Sequence, residues 1–123
     1  MAEILLIDDM AGVRRAVTNM LGRAGHSVTV SENGTQGLEM LKSRKFDLVV
    51  TDMLMPGADG ADVLGYVGGL PNRMPVIAIS GGGAGLSADS ALRLARVKAD
   101  AFLEKPFTRE ELTEAVDKLL GSR

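Results

Sequence analysis

A chain of 123 residues, 46% of them hydrophobic, fits a single domain spanning 1–123 with one substantial core. The absence of cysteine excludes disulfides, thiolate catalysis and a cysteine-built zinc site, and no apolar run approaches the ~20 residues of a membrane span. A formal net charge of −2, a pI near 5.4 and 3% aromatic content offer neither a basic surface nor a stacking platform, so nucleic-acid binding by this chain alone is not expected.

No basic-then-apolar leader opens the sequence, and the simplest expectation is a cytoplasmic protein without a membrane partner. The first apolar run, "EILLI" (3–7), leads straight into Asp8 and Asp9. Val13, Val17, Met20, Leu21 and Ala24 then form one helical stripe, and Gly25 suits the end of that helix. "SVTVS" (27–31) reads as a second strand, followed by a helix with Asn33 as its cap in "NGTQ" and Leu38 and Leu41 on its apolar side. "DLVVT" (47–51) is a third strand, ending at Asp52. Asp59 caps the next helix, whose stripe is Val63, Leu64 and Val67.

A loop, "GGLPNRMP" (68–75), leads into "PVIAIS" (75–80) and a Gly-rich stretch, "SGGGAG". Ser87 is a further cap, before a helix carrying Leu92 and Ala95. "AFLE" (101–104) runs into Lys105 and Pro106. The last helix opens with a capping box, Thr108 with Glu111, and repeats the stripe at Leu112, Ala115, Val116, Leu119 and Leu120. Five alternations of strand and helix indicate an α/β protein, a parallel sheet covered on both faces.

In such a sheet ligands bind beyond the carboxyl ends of the strands. Those ends carry Asp8 and Asp9, Asp52, Ser80, and Glu104–Lys105–Pro106. Three ionised carboxylates about 4 Å apart repel by roughly 4 kcal/mol per pair at an effective dielectric near 20. A divalent cation relieves this, and an all-oxygen site suits Mg²⁺ or Mn²⁺ better than zinc. Asp52 facing a metal, an ammonium and a hydroxyl is suited to attack a phosphoryl group.

These residues resemble the receiver domain of bacterial response regulators, over the whole chain. The resemblance rests on Asp8–Asp9, "DLVVTDMLMPGADG" around Asp52, "IAIS" ending in Ser80, and "FLEKPF" with Lys105. It implies a flavodoxin-like (βα)5 fold with strand order 2-1-3-4-5. It further implies Asp52 as phosphoacceptor, with Asp8, Asp9, Asp52 and the backbone carbonyl of Leu54 as the Mg²⁺ site. Ser80 and Lys105 then bind the phosphoryl group, Ser80 and Phe102 form the switch, and the bond before Pro106 is cis. Expected partners are a sensor histidine kinase or phosphotransfer protein, and an output protein. The output protein would read the surface of the fourth helix (87–98), fifth strand and fifth helix. Phosphorylation-dependent dimerisation is a further expectation. The chain would be a regulatory phosphoacceptor, catalysing only its own phosphorylation and dephosphorylation, whether stand-alone or excised.

Two features depart from the family pattern: the Gly-rich loop after Ser80, and Phe102 without the hydroxyl of the alternative tyrosine. Competing readings are weaker. Asp8 and Asp9 as mere helix caps, or Asp52 as a turn residue, would each serve alone but leave their convergence with Lys105 unexplained. An aspartate-nucleophile phosphohydrolase expects a second Asp two residues after the first, where Met10 stands. A flavin-nucleotide binder expects a phosphate-cradling loop where two carboxylates stand. "GAGLSA" (83–88) matches a dinucleotide fingerprint, but after the fourth strand rather than the first. A pseudo-receiver acting by unphosphorylated binding is the remaining alternative. His26 reads as a turn residue and the methionines as core filler.

Overall fold

The structure, a computed structural model, describes residues 2–53, 60–80 and 99–121. Its strands are β1 (Glu3–Ile7), β2 (Ser27–Ser31), β3 (Leu48–Asp52), β4 (Val76–Ser80) and β5 (Ala101–Glu104). The helices among the described residues are α1 (Ala11–Arg23), α2 (Gly34–Ser43), α3 (Gly60–Gly68) and α4 (Arg109–Gly121). The strands form one parallel sheet in the order β2-β1-β3-β4-β5, as the resemblance implied. Order reverses between β1 and β3, which makes their carboxyl ends the place where an α/β sheet opens a crevice. The helix expected over 87–98, the caps Asp59 and Ser87 and the Gly-rich stretch lie outside the described residues.

Pleating sends alternate side chains of each strand to opposite faces. Leu5, Ile7, Val49, Val76 and Ala78 pack on one face with Leu41 of α2 and Val63, Leu64 and Val67 of α3. Ile4, Leu6, Leu48, Val50, Ile77 and Ile79 pack on the other with Val17 and Leu21 of α1 and Leu112 and Val116 of α4. The central strands are apolar throughout because both of their faces are covered. β2 lies at the sheet edge, so "SVTVS" leaves Ser27 and Val30 exposed, Val30 at 41%.

Three helix boundaries follow local chemistry. Asn33 Oδ1 accepts from the Gln36 N–H at 2.8 Å, while Gln36 Oε1 accepts from the Glu32 N–H. Thr108 and Glu111 exchange side-chain-to-backbone bonds of 3.0 Å, the full capping box. Gly25, at φ +93°, follows α1 in the left-handed conformation that ends it. Ala24, expected in the buried stripe, is instead the exposed C-cap of α1.

Two glycines bring helices close to the strand tips. A Cβ on Gly37 would stand 2.5 Å from Cδ1 of Ile7, and one on Gly60 would stand 2.6 Å from the Asp52 carbonyl oxygen and the Met53 Cα. Side-chain ends yield more readily than backbone. Gly60→Ala is therefore expected to destabilise the protein by about 1–3 kcal/mol, and Gly37→Ala by less, because the Ile7 side chain can shift and Ala favours the helix. Denaturant midpoints of the two variants test that ranking.

Candidate functional site

The strand ends are locked to one another by backbone hydrogen bonds. The Asp8 N–H donates to the Ser31 carbonyl, the Met53 N–H to Ile79 and the Lys105 N–H to Ser80. Each candidate residue therefore sits at a height along the sheet set by its neighbour. The Lys105–Pro106 bond is cis.

Asp8 is fully buried, Asp52 is 4% exposed and Asp9 faces solvent. One carboxylate oxygen from each of the three lies within 4.8 Å of the others. Lys105 Nζ stands 3.1 Å from Asp8 Oδ2 and 3.1 Å from Asp52 Oδ2. Its contact with Asp52 is an aligned hydrogen bond, whereas the equally close contact with Asp8 is less well aligned. Asp8 Oδ1 accepts the Met10 N–H at 2.8 Å, and the Arg14 guanidinium donates to the Asp8 backbone carbonyl at 2.8 Å. One oxygen of Asp8 is thus used by the backbone. The other, Oδ2, is buried without an aligned donor among the described residues.

Three carboxylates facing one ammonium leave the site with excess negative charge. Burial pushes the Asp8 carboxyl above its ordinary value, and the nearby Asp52 charge adds to that; the Met10 N–H and Lys105 oppose it. Burial disfavours the Lys105 ammonium, but the Asp52 and Asp8 carboxylates outweigh it and hold its pKa above the usual lysine value. Lys105 therefore stays charged at neutral pH. The buried Asp8 Oδ2 and the all-oxygen donor set fit a small hard cation, so the three aspartates could hold Mg²⁺ or Mn²⁺.

Ser80, 1% exposed, ends β4 beside β3. Phe102 pairs with Ala78, two residues before Ser80, so the pleat places Ser80 and Phe102 on the same face of the sheet. Phe102 is half-buried and packs on the core shared with α2 and α3. Leu54 lies outside the described residues. Sequence reasoning missed Arg14 and Met10. Both lie within a turn or so of Asp9, the only signal that could have marked them; Lys105 Nζ is 3.9 Å from Met10 Sδ. His26 is the turn residue expected, accepting the Ala2 N–H at Nδ1.

Fold and site together define a response regulator receiver domain, and residues 4–117 match the family model of that description; the chain belongs to this family. Its members are the phosphorylation-activated switches of two-component signalling, which receive signals from histidine kinases and pass them to an output. The chain is 33% identical over 120 residues to the chemotaxis protein CheY of Pseudomonas aeruginosa, covering 95% of this chain and 94% of that one. It is 32% identical over 119 residues to the transcriptional regulatory protein GlrR of Escherichia coli, covering 97% of this chain but 26% of that protein. A receiver domain from Clostridium thermocellum superposes with a TM-score of 0.86 at 29% identity, over 99% of this chain and 96% of that one. No helix among the described residues is long and apolar enough to cross a membrane.

The raised Asp8 value carries a stability consequence. Folding favours the protonated form, so stability of the metal-free protein falls as pH rises from 3.8 through the raised folded value, and stays lower above it. Asp8→Asn lacks that loss. In chelator at pH 7 its thermal midpoint is expected above that of wild type, the gap narrowing toward pH 4. Calorimetry checks this; an unchanged midpoint would mean that the buried Asp8 carboxylate carries no net folding cost.

Proposed function

We propose that Asp52 is the phosphoacceptor of this receiver unit, which occupies residues 1–123, and that phosphorylation there switches a partner-binding surface. The observation that carries this is the Lys105 ammonium 3.1 Å from carboxylate oxygens of both Asp8 and Asp52, at the carboxyl edge of the sheet. An oxygen of Asp52 attacks phosphorus, the bond from phosphorus to the donor's imidazole nitrogen breaks, and the imidazole leaves with the electron pair. The donor is a sensor histidine kinase or phosphotransfer protein. Lys105 neutralises phosphoryl oxygens as they leave the donor. Asp8, Asp9 and Asp52, with the carbonyl of Leu54, would hold Mg²⁺ (or Mn²⁺), which supplies further charge neutralisation when bound.

Ser80 then donates its hydroxyl to a phosphoryl oxygen, and Phe102, on the same sheet face, repacks as Ser80 moves. The surface that changes comprises the segment 87–98, β5 and α4. An output partner would read it there, as would a second copy in a phosphorylation-dependent dimer. The domain catalyses only its own phosphorylation and the later hydrolysis. The relatives support this reading at two scales, since CheY is of this chain's length and GlrR carries the match within a much longer protein.

The test is intact mass after incubation with acetyl phosphate and Mg²⁺. One phosphoryl group is expected on the wild type and none on Asp52→Asn or in chelator. Lys105→Met is expected to slow the reaction by about a hundredfold. A folded, Mg²⁺-binding protein that takes no phosphoryl group would be a pseudo-receiver, acting through unphosphorylated binding.

A further inference from the structure

Met10 is the N-cap residue of α1, yet its side chain makes no cap hydrogen bond and is 54% exposed. Of the methionines among the described residues it alone is exposed: Met20, Met40 and Met74 are half-buried and Met53 is buried. With no cysteine in the chain, thioethers are the side chains most open to two-electron oxidation. The Met10 sulfur also lies 3.9 Å from Lys105 Nζ, the ammonium that bridges Asp8 and Asp52.

From this juxtaposition we propose that Met10 is a peroxide-sensitive modification site that tunes the phosphoacceptor centre through Lys105. A peroxide transfers one oxygen atom to Sδ: its O–O bond breaks, a sulfur–oxygen bond forms, sulfur gives up two electrons, and the peroxide is reduced to water. The thioether is a weak acceptor, whereas the sulfoxide oxygen is a strong one placed beside an ammonium. It competes with Asp52 Oδ2 and Asp8 Oδ2 for the Lys105 N–H groups. Lys105 drawn outward neutralises less of the charge at Asp52, so phosphoryl uptake slows. This last step rests on Asp52 being the phosphoacceptor.

The test treats the wild type and Met10→Leu with hydrogen peroxide and maps oxidised peptides by mass. It then follows the Lys105 Nζ resonance by NMR and phosphorylation by acetyl phosphate with Mg²⁺. Of the described methionines, Met10 is expected to oxidise first. The Lys105 resonance should then shift and the phosphorylation rate fall about threefold to tenfold, both restored by methionine sulfoxide reductase. Met10→Leu should show neither change. Another described methionine oxidising ahead of Met10, an unmoved Lys105 resonance, or an unchanged rate would each overturn the proposal. If untreated protein takes no phosphoryl group, the Asp52 assignment fails by itself, and the mapping and the Lys105 resonance decide the role of Met10.

Discussion

The site depends on one ammonium held between two buried carboxylates. Lys105 follows β5, whereas Asp52 ends β3 and Asp8 follows β1, so β4 lies between the lysine and the first of its partners. Strands two places apart in a sheet are separated by about 10 Å, and only a long side chain whose stem can lie across the intervening strand spans that gap. The contact therefore requires β1, β3, β4 and β5 to end at matched heights; the pairing of Ile7 with Thr51 matches β1 to β3, and backbone hydrogen bonds at the strand ends tie β3 and β5 to β4.

Burial makes the centre effective and also strained. The apolar faces that stabilise the sheet exclude water from Asp8, and a carboxylate without water depends on its few neighbours. A backbone amide satisfies one oxygen of Asp8, and lysine only approaches the other. The fold thus holds its acidic centre short of positive charge, and a cation that enters relieves a cost already incurred in folding. Gly37 and Gly60 serve the same end, letting α2 and α3 approach close behind the strand tips.

The architecture was legible in the sequence because its signals are local: strand-length apolar runs, 3.6-residue stripes, and caps at Asn33 and Thr108. So were the positions of Asp8, Asp52, Ser80 and Lys105, since the residues at or just past a strand's end can be counted without knowing which strand pairs with which. What escaped depends on tertiary placement. The Arg14 bond to the Asp8 carbonyl and the Met10 approach to Lys105 follow from how α1 leaves β1, which periodicity does not encode. The exposure of Val30 follows from β2 being an edge, a property of strand order rather than of "SVTVS". Ala24 left its stripe because the helix ended there.

Asp52 is almost wholly sheltered from solvent, and the lysine above it is nearly so. On the proposed assignment of Asp52, a nucleophile so recessed discriminates by reach. A phosphate lying flat against a broad macromolecular surface cannot come down to it, while one carried at the tip of a projecting side chain or on a small free molecule can. On that assignment, selection among donors begins with the depth of the carboxylate, before any contact outside the crevice is made.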